Sequence, residues 1–125
     1  MDRRHIAKRY LKYLEEGHIT PLMELFEADG LAESPIYGIK KASEFYSELY
    51  NDTSRSTIKL KGIFEENDSH RLALYFTYIW TLKNKESVTF DVVDIIEFNT
   101  NNKIKTLKII YDTVVSRTLV ERLKA

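Results

Sequence analysis

The sequence predicts an α+β fold in which three helices precede a mostly antiparallel sheet, and three observations carry that reading. Apolar residues recur at helical spacing as far as Tyr50. From Thr57 onward the period changes to two, and the turn pairs Asn67-Asp68 and Asn84-Lys85 and the triplet Thr100-Asn101-Asn102 divide the second half into strands. A run of helices followed by a run of strands indicates α+β rather than an alternating α/β arrangement.

The first helix is expected over residues 2–16, with Ile6, Tyr10, Tyr13 and Leu14 on one side and Gly17 ending it. The second is expected over 19–28, capped at Thr20-Pro21, with Ile19, Leu22, Met23, Leu25 and Phe26 as its buried stripe. Asp29-Gly30 breaks it. Ser34-Pro35 then forces an extended or turning chain. The third helix is expected over 40–50, burying Ala42, Phe45, Tyr46 and Leu49. Strands follow at 57–65, 71–83, 87–99 and 103–112, and short turns between long strands favour an antiparallel meander. Val114, Val115, Thr118, Leu119 and Arg122 fall at helical spacing and predict a short terminal helix.

Composition narrows the function. The 125 residues suit one domain, 1–125, large enough to bury a core without a metal or disulfide. Lys plus Arg equals Asp plus Glu at 19 each, which argues against a dedicated nucleic-acid binder. The cluster Arg3, Arg4, Lys8, Arg9 and Lys12 reads as a solvated helix face. With no cysteine there is no disulfide, thiolate metal site or cysteine nucleophile. His5, His18 and His70 show no metal-ligand spacing, and no metal or cofactor is expected. There is no phosphate loop, nucleophile elbow, long apolar run or apolar signal core. A cytoplasmic location, with neither membrane nor nucleic acid as partner, is the expectation.

One strand carries an anomaly. Residues 87–99 place Val88, Phe90, Val92, Asp94, Ile96 and Phe98 on one face, with Asp94 in the middle of the more apolar side. A carboxylate there must reach water, find donors, or raise its pKa and become neutral. A neutral acid in an apolar cavity is a hydrogen-bond donor suited to developing oxyanion charge. The strand pattern by itself favours the plainer reading, a structural aspartate bonded to backbone or to a nearby tyrosine. On the preceding strand, Leu72, Leu74, Phe76, Tyr78, Trp80 and Leu82 form a core face, and Tyr78 and Trp80 bring polar handles. The opposite faces retain Tyr75, Ile79, Val93 and Ile95, which a second copy of the chain would cover, so a homodimer is expected.

The stretch KRYLKYLEEGHITPLMELFEADGLAESP (8–35), the segment GIKKASEFY (38–46) and VVDIIEFNTNNKIKTLKIIYD (92–112) together resemble ketosteroid isomerases, and the chain is similar to SnoaL-like members of the nuclear transport factor 2-like superfamily. The resemblance implies a curved sheet whose cone-shaped pocket takes a small, apolar, oxygen-bearing ligand. Tyr10 matches the family's oxyanion tyrosine, Asp94 its neutral acid and Tyr46 the tyrosine that supports the first; these make Tyr10 and Asp94 the catalytic candidates. Phe26 falls where a further member of that hydrogen-bond chain would be, so the chain is interrupted. Ser34 replaces the general-base aspartate, and a serine hydroxyl is a very poor base near neutral pH. Glu33 should point the other way and Asp112 looks out of phase. Ligand contacts are expected from Phe26, Ser34, Tyr46, Phe76, Tyr78, Trp80, Phe90, Val92, Leu107 and Tyr111. The implied activity is isomerase, cyclase or related lyase chemistry through an enolate-like intermediate. The missing base leaves a non-catalytic ligand-binding domain equally open, and a protein-interaction scaffold is a third reading.

Overall fold

The computed structural model describes residues 2–125. In chain order it contains α1 (Arg3–Glu16), α2 (Ile19–Glu24), β1 (Phe26–Ser34), β2 (Gly38–Lys41), α3 (Ala42–Asp52), β3 (Thr53–Glu65), β4 (Arg71–Leu82), β5 (Ser87–Phe98), β6 (Ile104–Ile110) and α4 (Val114–Lys124). The six strands form one sheet in the order β2-β1-β6-β5-β4-β3. β3 to β6 make an antiparallel meander, β1 joins β6 in parallel, and β2 pairs antiparallel with β1 at the edge. This is an α+β fold with a curved, mostly antiparallel sheet.

α1 starts where the Asp2 carboxylate accepts the His5 N–H at 2.8 Å and stops at Gly17, whose φ of 72° is left-handed. It buries Ile6, Ala7, Tyr10 and Leu11. Two of its side chains serve the exposed edge of β3: the Glu15 carboxylate accepts the Ile58 N–H at 2.6 Å, and Arg4 donates to the Ile63 carbonyl at 3.4 Å. An open edge strand is thereby partly occupied.

The region after α2 departs from the sequence expectation. α2 has six residues, begins one residue before the expected Thr20 cap and ends at Glu24. Residues expected to continue it, Phe26 among them, instead open β1. Tertiary pairing overrides local helical spacing here: Ile104 N–H donates to the Leu25 carbonyl at 2.8 Å, and Phe26, Leu31, Ala32 and Glu33 pair with Ile104, Thr106, Leu107 and Lys108. The chain bulges between Phe26 and Leu31. Gly30 sits in that bulge because a Cβ would lie 2.9 Å from the Phe26 ring and 3.1 and 3.2 Å from two carbonyl oxygens. Lys40 and Lys41, expected in the third helix, lie in β2, and α3 runs two residues further, to Asp52.

The strands after α3 lie close to where the period-two pattern puts them. Asp68, Lys85 and Asn102 take positive φ in the three turns between them. The terminal helix forms, but its buried face is Ser116, Leu119 and Val120, while Val114 and Val115 are exposed. It is tied down at three points. Arg117 donates to the Pro35 carbonyl at 3.1 Å, Arg122 pairs with Glu86 at 3.0 Å, and Lys124 pairs with Asp52 at 3.1 Å and Glu48 at 3.3 Å. Among the described residues, no helix is long and apolar enough to cross a membrane.

Candidate active site

The inner face of the sheet is built in rows. Pairing places Ala32, Leu107, Ile96 and Leu72 in one row, then Ile109, Asp94 and Leu74, then Val92 and Phe76, then Phe90 and Tyr78, and finally Val88 and Trp80. Helices α1 and α3 cover these rows and contribute Tyr10, Leu14, Phe45 and Leu49. Between helices and sheet lies a cavity of about 50 Å³. It is a narrow space, with room for a few water-sized groups, which suits a small ring rather than a large ligand. Aromatic rings fill the rest. Tyr78 of β4 stacks on Phe90 of β5 at 5.7 Å, and Phe90 on Tyr111, just past the end of β6, at 4.4 Å.

Asp94 is 1% exposed. Its Oδ1 is fully enclosed and has no hydrogen-bond partner, and no cationic side chain pairs with it among the described residues. Leaving an unpaired carboxylate in such a place costs several kcal/mol or more, whereas taking up a proton removes most of that cost. Burial therefore drives the Asp94 pKa well above the usual carboxylate range, which favours the protonated, neutral form.

Tyr10 is equally enclosed, at 1% exposure, and its hydroxyl lies 2.7 Å from that of Tyr46. The two rings meet edge to face with centroids 6.1 Å apart. Burial raises both phenol pKa values well above 10. Both phenols keep their protons, so they too are donors. Tyr111 is pushed up to about 12 by burial, offset in part by Arg117. The chamber thus combines an apolar wall with neutral donors, an arrangement suited to stabilising negative charge on an enclosed oxygen.

No family model matches the sequence, and no curated protein matches it. Solved structures do. An NTF2-like protein of unknown function from Burkholderia pseudomallei K96243 superposes with a TM-score of 0.80, at 16% identity, over 96% of this chain and 98% of its own. SalBIII, an epoxide hydrolase/cyclase-like enzyme with a role in pyran ring formation in the polyether salinomycin, superposes at 0.77 with 19% identity, over 88% and 90%. A Catenulispora acidiphila DSM 44928 protein of ketosteroid isomerase-like fold, in complex with trimethylamine, gives 0.76 with 12% identity, over 92% and 89%. The chain has the nuclear transport factor 2-like fold.

Within this NTF2-like fold, the sequence candidates sort by depth. Tyr10, Ser34, Phe76, Tyr78, Trp80, Phe90, Val92, Asp94 and Tyr111 line the chamber together. Phe26, Tyr46 and Leu107 do not. Phe26 lies in β1 against the Tyr46 ring at 5.7 Å, and having no hydroxyl it ends the donor chain at Tyr46. Tyr46 sits behind Tyr10, and Leu107 occupies the row below Asp94. Ser34 is buried, and its Oγ accepts the Tyr37 N–H at 3.0 Å, closing the β1–β2 turn. Glu33 faces the other side of the sheet, 3.4 Å from Lys108. Asp112 is exposed and accepts the Val114 N–H at 3.0 Å.

Leu14, Tyr37, Phe45, Leu49 and Ile109 line the chamber in addition to the contacts expected from the sequence. All but Tyr37 belong to apolar stripes visible in the sequence. Tyr37 lies in the turn after Ser34-Pro35, where periodicity carries no signal; its hydroxyl donates to Asp52 at 2.7 Å. Among the described residues there is no cluster of acidic and histidine side chains able to hold a metal.

Proposed function

We propose that this protein is a SnoaL-like small-molecule-binding domain in which Tyr10 and Asp94 donate hydrogen bonds to one oxygen of an apolar ligand. The observation that carries it is Asp94: an enclosed carboxyl with an unpartnered oxygen, lining the same apolar chamber as the Tyr10 phenol. Small-molecule chemistry named for fold neighbours, such as the cyclase-like role of SalBIII, supports the reading. Turnover would take the form of isomerisation or cyclisation through an enolate-like intermediate whose oxygen the two donors hold. No cofactor is needed for that chemistry.

Ser34 favours a second reading, that of a ligand-binding domain without turnover. It is the chamber residue at the place of the family's base, and its hydroxyl is already engaged with a backbone N–H.

Phenolates mimic an enolate, so a series of small substituted phenols tests the oxyanion pair by calorimetry. Affinity should rise as the phenol becomes more acidic. Tyr10→Phe and Asp94→Asn should each weaken the best binder by about tenfold or more, as expected for a lost hydrogen bond to a charged oxygen. Affinities that stay unchanged in both variants would refute the assignment.

The protein is also proposed to be a homodimer through the outer face of the sheet. Tyr75, Val93 and Ile110 form one row across three strands, and Ile79 and Ile110 are 40% and 48% exposed. The pairs Lys61–Asp91 and Lys108–Glu33 place both charge signs around that row, so the face can meet a copy of itself. Light scattering at micromolar concentration should report twice the chain mass, and Val93→Glu should halve it. A wild-type monomer would overturn this.

A further inference from the structure

Leu14, Leu49 and Tyr78 line the chamber on one side and a second cavity, of about 240 Å³, on the other. The second cavity opens among the end of α1, the end of α3 and the start of β3. Ligand sites are usually several hundred Å³ in size, so the chamber accounts for only a small part of one. Two chamber aromatics are anchored toward the second space: the Tyr78 hydroxyl lies 2.6 Å from Ser56 Oγ, and Trp80 Nε1 donates to Thr53 Oγ1 at 2.8 Å. The two cavities therefore share a wall whose side chains are held by β3.

The second cavity differs in character. Its lining carries two cations, Arg55 and Lys83, and two carboxylates, Glu15 and Glu16. The Glu15 carboxylate accepts the Ile58 N–H at 2.6 Å, and the His18 ring lies 3.6 Å from Glu16, outside hydrogen-bond distance. The cations have no carboxylate partner among the described residues. Lys83 lies over the Tyr50 ring at 6.0 Å, and a third cation, Lys85, donates to Ser54 on the rim at 2.8 Å. An anion that reaches Arg55 and Lys83 gains charge-assisted hydrogen bonds, set against the repulsion of Glu15 and Glu16.

We propose that the second cavity is a subsite for an anionic group, such as a carboxylate, at the far end of an elongated ligand whose apolar, oxygen-bearing end occupies the chamber. The inference rests on the reading of the chamber as a ligand site. It makes the ligand class amphipathic, with a hydrogen-bond-accepting head, a short apolar linker past Leu14 and Leu49, and an anionic tail held by Arg55 and Lys83.

The test compares phenols that carry a para chain of about two to five methylenes ending in a carboxylate, a primary amide or an ammonium group, with unsubstituted phenol as reference. At low ionic strength the carboxylate of the best chain length should bind about fivefold tighter than its amide, a gain two exposed cations can supply, and salt should erode it. The ammonium should bind no better than the amide. R55E/K83E should abolish the carboxylate gain while leaving unsubstituted phenol unchanged, and circular dichroism checks that this surface variant folds. If phenol binds but no carboxylate outperforms its amide at any length, the subsite is refuted and the chamber reading stands. If phenol itself fails to bind, both fall together.

Discussion

Replacing Asp94 with asparagine flattens the pH dependence of stability between mildly acidic and alkaline conditions. In the folded chain burial raises the Asp94 pKa and favours the neutral carboxyl, whereas in the unfolded chain the group ionises near its ordinary value of about 3.9. The folded state therefore holds more protons than the unfolded one above pH 4. Stability then falls as pH rises from about 4 up to the raised pKa, by up to about 1.4 kcal/mol per unit. Over the range below the raised pKa, this single site makes the folded chain steadily less stable as pH rises, a sizeable effect against a domain's small net stability. Asparagine has nearly the same shape and no ionisation, so the slope due to this site disappears.

The neighbouring phenols do not cancel the effect. Tyr10, Tyr46 and Tyr78 all have raised pKa values and stay neutral throughout that window. Glu48, held low chiefly by its hydrogen bond with Lys40, contributes on the acid side instead: its stabilisation is present above the ordinary glutamate range and lost below it. Urea midpoints of wild type and Asp94→Asn, taken at steps from pH 5 to pH 8, separate the site from everything the two proteins share. Curves that run parallel would mean that Asp94 is ionised in the folded chain, and its role as a donor would go with them.

Asp94 was legible because β5 is an alternating strand with one buried face; period two alone decides which side each residue takes. The same rule recovers β3 to β6. It fails at β1, whose inward positions are Phe26, Gly30, Ala32 and Ser34. Small residues there make room beneath α3 but leave no apolar alternation to read, while Leu22 and Phe26 locally imitate a helical stripe. What a face shows and what a cavity uses are also different matters. Leu107 and Ile109 share a strand face, yet the first packs in the row below Asp94 and the second, directly opposite it, lines the chamber. Alternation reveals side, not depth. Depth comes from how the sheet curves and how the helices sit on it, which no local pattern records. Tyr46 illustrates this from the other direction: the sequence casts it both as the support of Tyr10 and as a ligand contact, and the fold bonds it to Tyr10 while placing it on the wall of the second cavity rather than of the chamber.

Substituting Ser34 with aspartate should create enone isomerase activity. Ser34 lines the same chamber as Tyr10 and Asp94, so a carboxylate there would share the space with both donors. The backbone should tolerate the change, because an aspartate can take over acceptance of the Tyr37 N–H that Ser34 now provides at 3.0 Å. In a β,γ-unsaturated ketone, the introduced carboxylate would remove the α-proton, the two donors would hold the resulting enolate oxygen, and the same proton would return to the γ-carbon. Nothing is consumed and no water is needed. The narrow chamber calls for a small cyclic ketone rather than a steroid. Ser34→Asn, with matching shape and no base, is the reference. A general base of this kind adds about 10² to 10⁴ in rate, so conversion to the conjugated ketone, followed by its ultraviolet absorbance, should run at least 100-fold faster in the aspartate variant. A second change, Tyr10→Phe or Asp94→Asn, should remove most of that gain. Activity should grow with pH until the new carboxyl is ionised, at a value above the ordinary one because the site is apolar. If the aspartate and asparagine variants bind phenol equally and isomerise equally slowly, Ser34 does not stand where a base can reach the substrate, and the correspondence of this chamber with a proton-shuttling site is lost.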